Sequence, residues 1–304
     1  MGIESTIDAE YTRAVDERLT SYDAYIEYQM QEARRAIPFL SRFFATLSAR
    51  ALEVGTGRGG KGIAYSCYGM DVTALDVDVP SLELGTQAAR VRNAAIHFLA
   101  ADGTHLPFPA DYFDAVLLDS VIEHVRDPQT LLIECQRVLK HGGIVFVVFP
   151  PFYGPLSGHI DDYVMLPWFH LLPRQIVEKT LLSQPQRGGI LTPRGAFEVY
   201  ATLNGLTVLE FKRMARRAGF TFEYFRVRPF LTHPGTRLVV GLVAAFVHPG
   251  RWQNARTVLG RARREFNLGI FLLFVLLVAI TPLVFVPILQ EIAAGGCKCV
   301  LRKI

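Results

Sequence analysis

The stretch "LEVGTGRGGKG", Leu52–Gly62, joins a short apolar run to a helical one, and its glycines admit more than one reading. Gly55, Gly57 and Gly60 satisfy the G-x-G-x-x-G spacing of dinucleotide-binding turns. Gly55, Gly60 and Lys61 follow phosphate-loop spacing, but Gly62 stands where that loop needs a hydroxyl for magnesium. Read from Glu53, the same letters give an acid followed by G-x-G-x-G. The glycines alone do not decide, because any close strand-to-helix turn favours them.

Glu53 discriminates better. It precedes the turn, at the carboxyl end of the predicted strand Ala51–Val54, where open α/β sheets bind their ligands. A carboxylate there repels a pyrophosphate, and a low local dielectric enlarges the repulsion. It suits a ligand with an ammonium and a sulfonium, such as S-adenosylmethionine (SAM). Asp76, at the end of the second strand, is placed to accept ribose hydroxyls. That role is common to NAD and SAM sites and does not separate them.

Outward from this turn the pattern alternates. "MDVTALDVD", "IHFLAAD", "FDAVLLD" and "GGIVFVVF" read as apolar strands. Helices are predicted over Gly60–Tyr68, from Pro80 to Arg92 and from Pro128 to Leu139, with the prolines at helix starts. Such alternation implies a parallel sheet covered on both faces. Before it, Tyr11, Val15, Leu19, Tyr22, Ile26 and Met30 predict one amphipathic helix ending near Arg34 and Arg35. Pro38 is read as the start of a second short helix. After it, Phe152, Tyr153, Tyr163, Trp168 and Phe169 lie among prolines and histidines in an irregular lid. Thr192-Pro193 then caps a helix, "LTVLEFKRMARRAGF" is another closed by Gly219, and "FTFEYFRV" is a strand.

"AADGTHLPFPADYFDAVLLDSVIEHVRDP" and "RVLKHGGIVFVVFP", together with Glu53 to Gly59, resemble class I SAM-dependent methyltransferases. The resemblance is to the type 11 branch that includes ubiquinone/menaquinone C-methyltransferases, and it spans roughly residues 48–150. It implies a doubly wound, Rossmann-like, mostly parallel seven-stranded sheet with an antiparallel last strand, here "CKCVLRK". It implies SAM as cofactor, bound by Glu53, Gly55, Gly57, Gly59, Asp76, Val77, Asp102, Gly103, Asp119 and Ser120. Within that set Asp76 takes the ribose, Asp102 the adenine amino group and Asp119 the methionine end. Methyl transfer from a sulfonium needs alignment and exclusion of water, no metal, and a base only if the acceptor must lose a proton. His124, and His159 with Asp161, are the candidate catalytic residues. A NAD(P)-dependent oxidoreductase on the same fold and a non-catalytic SAM-binding protein are the alternatives.

The bulk numbers constrain partners. Net charge is +4, too mild for nucleic acid, and mean hydropathy of +0.25 predicts a segment that meets lipid. Phe266–Gln290 is uncharged and long enough to span a bilayer. Yet a strand after it that joins the sheet forbids a single crossing. The remaining readings are a re-entrant dip broken at Pro282 and Pro287, an interfacial hairpin with Leu238–Val247, and buried helices. An apolar or lipid acceptor at the cytoplasmic face of a membrane is the expectation. Cys297 and Cys299 share one face of a strand and read as buried thiols, while "MGIEST" formally matches a myristoylation pattern. No apolar stretch follows that start, so no secretory signal is read. The expected organisation is a helical cover over 1–47, a SAM-binding core over 48–150 and a lid over 151–191. The rest of the sheet occupies 192–230 and 291–304, with a membrane-contacting insertion over 231–290.

Overall fold

The computed structural model describes residues 10–11, 13–15, 17–44, 48–164, 166–186, 189–230, 286 and 289–304. Its centre is a seven-stranded sheet of order β3-β2-β1-β4-β5-β7-β6. The strands are β1 Arg50–Val54, β2 Asp71–Asp76, β3 Ile96–Ala100, β4 Phe113–Asp119, β5 Leu139–Phe149, β6 Phe220–Pro229 and β7 Ala294–Lys303. β1 to β5 run parallel. β7 runs antiparallel to both β5 and β6, with Val147 opposite Cys299 and Phe225 opposite the same cysteine on the other side. This is the doubly wound sheet with an antiparallel last strand that the resemblance implied.

Seven α-helices are described: α1 Tyr22–Leu40, α2 Gly60–Cys67, α3 Val79–Val91, α4 Pro128–Val138, α5 Arg174–Leu182, α6 Pro193–Ala201 and α7 Val208–Arg217. α4 and α7 cover one face of the sheet, where Leu131, Leu132, Cys135, Phe211 and Ala215 pack on Leu52, Val116, Val145, Val147 and Leu301. α1, α2 and α3 cover the other, with Ile26, Met30, Ile37, Ile63 and Tyr65 against Val72, Leu117, Phe146 and Val300. Both faces being dry explains why the central strands are nearly continuous runs of Val, Leu, Ile and Phe. Each such side chain taken fully out of water contributes about 1.5–3 kcal/mol before the entropy of ordering it.

Three elements differ from the sequence expectation. The N-terminal periodic stretch is not one helix. It turns at residues 18–20, and α1 restarts at Ser21, whose hydroxyl accepts from the Ala24 N–H at 3.1 Å. A capping serine outweighs continued periodicity, because it supplies an acceptor to an otherwise unpaired first-turn donor. Pro38 does not begin a second helix. It lies in the last turn of α1, which ends at Leu40. The lid contains a regular helix, α5, whose Val177 and Leu181 are buried with Ile160, Tyr163, Ala196 and Phe197 in a small separate core. α7 is fixed by a reciprocal capping box between Thr207 and Glu210.

Cys297 and Cys299 are both buried and free, as read. Among the described residues no helix is long and apolar enough to cross a membrane. The myristoylation pattern and most of the apolar segment 231–290 lie outside the described residues.

Candidate functional site

Because β1 to β4 are parallel, the turns that follow them collect at one edge of the sheet. β1 lies between β2 and β4, so the chain leaves β1 at the point where strand order reverses. Gly55, Gly57 and Gly59 form the turn after β1, all with left-handed backbone (φ +66°, +54° and +75°). Gly55 and Gly59 are also places of close approach. A Cβ on Gly55 would sit 2.7 Å from the Val121 methyls, and one on Gly59 would sit 2.5 Å from the Phe98 ring. At Gly57 the space before the backbone is open.

The acids of this edge have distinct settings. Asp76, closing β2, accepts from the Gly57 N–H at 2.7 Å and the Asp78 N–H at 2.9 Å, which ties the second strand to the glycine turn. Val77 beside it is exposed. Asp102, after β3, accepts from the backbone and hydroxyl of Thr104, both at 2.8 Å. These bonds lower its pKa. Gly103 has no room for a side chain, since a Cβ would meet Val54 and Leu131 at 2.8 and 2.9 Å. Ser120, just past β4, is held left-handed at φ +61°.

Glu53 is buried and accepts from the Thr56 hydroxyl at 2.6 Å. Burial pushes its pKa up to about 7, against the opposing effects of Thr56 and Lys61. Gly62 now has a reason. A Cβ there would fall 2.5 Å from Glu53 Oε2 and 2.7 Å from Ile96. The residue that breaks the phosphate-loop pattern is the one that makes room for the acid.

Both basic residues of the turn are engaged by protein partners. Lys61 is buried, with Nζ 2.9 Å from Asp119 Oδ2 and 3.4 Å from Glu32 Oε2. Its own burial disfavours the ammonium, but Asp119 and Glu32 override it and raise the pKa well above the ordinary value. The Arg58 guanidinium stacks on Tyr22 and Tyr25, at 4.4 and 5.4 Å from the ring centres.

The loop after β4 carries a second group. Glu123 is 2% exposed, with His159 Nε2 at 3.5 Å and His124 Nε2 at 4.0 Å from its Oε1. The two imidazole rings lie 5.0 Å apart. Asn204 holds this loop, its amide donating to the carbonyls of Ile122 and Val125 at 2.8 Å each while its backbone N–H donates to Glu123. Burial raises the Glu123 pKa. His159 is opposed by its own burial, yet the Glu123 carboxylate raises it. Burial and the neighbouring His159 lower His124 to about 4.

The structure therefore gathers Glu53, Gly55, Gly57, Gly59, Asp76 and Asp119 around one turn, and brings His124 and His159 together. Asp161 instead lines a hollow of the lid with Ile160, Val164 and His170. The carboxylate closest to His159 is Glu123, which the sequence reading passed over, as it did the anchoring role of Lys61. The letters "EH" in "SVIEHV" carried the first signal. Lid aromatics are mainly structural: Tyr163 donates to the Leu191 carbonyl at 2.8 Å and the Trp168 indole to Tyr153 at 3.1 Å.

Residues 52–147 match the family profile described as a methyltransferase domain, type 11. A demethylmenaquinone methyltransferase from Renibacterium salmoninarum is 36% identical over 118 residues, covering 38% of this chain and 48% of that protein. A ubiquinone/menaquinone biosynthesis C-methyltransferase from Vibrio campbellii is 33% identical over 132 residues, covering 41% and 49%. The chain thus spans about half the length of the curated relatives it matches. In fold it is similar to a putative sarcosine dimethylglycine methyltransferase from Galdieria sulphuraria, with TM-score 0.52, 12% identity, and 90% and 85% of the two chains covered.

Proposed function

We propose that this chain, whose residues 52–147 are a class I SAM-dependent methyltransferase domain of the type 11 branch, transfers a methyl group to an apolar or membrane-held small molecule. The observation that carries the choice of ligand is the fate of the two cations in the glycine turn. A phosphate loop needs its lysine free, yet Lys61 is committed to Asp119 and Glu32, and Arg58 to two tyrosine rings. What remains at the turn is open backbone at Gly57 flanked by the Asp76 carboxylate, with Glu53 buried beneath. That arrangement disfavours a phosphate-loop ligand, and the likeness of residues 52–147 to methyltransferases supports SAM over NAD.

In this reading Asp76 and Val77 border the ribose, Asp102 and Gly103 the adenine, and Asp119 and Ser120 the amino-acid end. Bound SAM supplies a methyl group on a sulfonium with a good leaving group. The chain's own task is alignment and exclusion of water. The Gly55–Val121 contact fixes the glycine turn against the loop that carries Glu123 and His124. In this reading His124 and His159, from that loop and from the lid, lie on the acceptor side, with Asp161 in the lid beyond them. Leu166, Leu171, Leu172 and Ile176 stand exposed on the lid, which supports an apolar acceptor and contact with a membrane surface.

Calorimetric titration of the full chain with SAM and with NAD tests the cofactor, and binding of NAD without SAM would overturn the reading. Incubation with methyl-labelled SAM and a lipid extract then tests the reaction. The expected result is a labelled organic-phase product. Tight SAM binding with no product from any extract would favour a non-catalytic SAM-binding protein.

A further inference from the structure

We propose that Glu123, His124 and His159 form a binding site for one divalent transition-metal ion of the zinc class. One donor atom from each lies within 4.8 Å of the others. The reason to place a cation among them is that none of the three donors is satisfied by its protein neighbours. Both oxygens of Glu123 and Nε2 of His159 are buried without a hydrogen-bond partner among the described residues. A buried polar group left unpaired costs about 1–3 kcal/mol, and more when it is charged.

The third donor follows from a proton count. The Thr202 hydroxyl has one proton, and it goes to the Val199 carbonyl at 2.7 Å. Thr202 Oγ1 therefore accepts from His124 Nδ1, 2.7 Å away, and the proton of the neutral imidazole is on Nδ1. His124 Nε2 then presents a bare lone pair 4.0 Å from Glu123 Oε1. Two electron-rich atoms facing each other across a gap are repulsive unless a cation sits between them. An ion pair between Glu123 and His159 relieves only part of this. At 3.5 Å it is a long contact between Glu123 Oε1 and His159 Nε2, and it leaves the buried Glu123 Oε2 without a partner and the lone pair of His124 Nε2 facing the carboxylate.

Two imidazoles and a carboxylate are the donor set of an open zinc site. With bonds of about 2.0–2.2 Å, tetrahedral donors stand roughly 3.4 Å apart. The 3.5 and 4.0 Å separations from Glu123 are close to that, and closing the widest donor pair, within 4.8 Å, takes a larger side-chain rotation. Outer support is already built, with Thr202 fixing the His124 tautomer and Asn204 holding the loop. The lid backbone at His159 is left-handed, at φ +54°, which turns this ring toward Glu123. Three protein ligands leave a fourth position for water or for an acceptor oxygen. The acceptor role rests on the methyl-transfer reading, whereas uptake of the ion does not.

The test uses the full chain, stripped with a chelator, dialysed and titrated with Zn2+ by calorimetry alongside elemental analysis. One ion per chain is expected, with at least tenfold weaker binding in Glu123→Gln and in His159→Ala. The stripped Glu123→Gln protein should also be no less heat-stable than the stripped parent, since the substitution removes an unsatisfied buried charge. Cobalt substitution gives an independent readout that needs no variant: a visible absorption band of tetrahedral nitrogen-and-oxygen ligation. Absence of stoichiometric Zn2+ uptake by protein that binds SAM overturns the proposal, as does unchanged uptake in both Glu123→Gln and His159→Ala. Zn2+ uptake without SAM binding would instead overturn the methyltransferase reading and leave the ion site standing.

Discussion

Lys61 Nζ lies 2.9 Å from Asp119 Oδ2, linking the first turn of the helix after the glycine loop to the end of β4. Both groups are largely shielded, and Glu32 of α1 completes the bridge at 3.4 Å. Replacing Lys61 with Met leaves two carboxylates facing each other without their cation, so we expect a loss of about 3 kcal/mol in urea unfolding. SAM affinity should fall at least tenfold, because Asp119 is no longer anchored. Unchanged stability would mean that the bridge is only a surface contact.

Gly62→Ser would complete the phosphate-loop pattern on paper. The Cβ contacts of 2.5 Å to Glu53 and 2.7 Å to Ile96 predict the opposite of a gain. We expect destabilisation of about 1–3 kcal/mol and no measurable ATP binding by calorimetry. ATP binding in the variant would return the phosphate-loop reading to contention.

The raised Glu53 pKa gives stability a pH dependence. Its folded value of about 7 exceeds the ordinary 4.5, so the folded protein holds a proton that the unfolded chain has released between those two values. Glu53 thus favours folding fully below about pH 4.5, and that contribution is lost as pH rises through 7. The full effect is at most about 3 kcal/mol. Glu53→Gln should therefore be more stable than the parent at pH 8, with the difference closing toward pH 5. Denaturant midpoints across that range provide the check, and parallel curves for the two proteins would refute it.

Asp76→Ala removes the acceptor of the Gly57 and Asp78 N–H groups and the acid assigned to the ribose. SAM affinity should fall by at least tenfold in calorimetry, while far-ultraviolet circular dichroism stays unchanged because the turn is at the edge of the sheet. Retained affinity would move the ribose contact elsewhere.

Much of the fold was legible because parallel strands announce themselves as apolar runs and because Pro128 and the Thr192-Pro193 pair mark helix starts directly. Helix α5, between Pro173 and Ser183, is faint in the sequence because its partner core is small and needs few apolar positions. At Ser21 a side-chain cap breaks a helix that the apolar periodicity alone would continue. In the site, the backbone positions were legible from glycine spacing, but the destinations of Lys61 and Arg58 were not. A long cationic side chain looks the same in sequence whether it meets a ligand or folds back onto Asp119. Glu123 and His159 sit on different loops, and only the tertiary structure brings them within 3.5 Å.

The order β5-β7-β6 also sets a schedule. β6 leaves the ribosome first, but among the described residues it pairs in the sheet only with β7, so Phe220–Pro229 waits as an aromatic-rich strand until Ala294–Lys303 is available. Pro229 then pairs with Ala294, joining positions far apart in the sequence in one late step. Folding of this edge therefore waits for β7 even if the β1–β5 half assembles early. During the interval the waiting strand is the part of the molecule most exposed to wrong pairing and to chaperone capture.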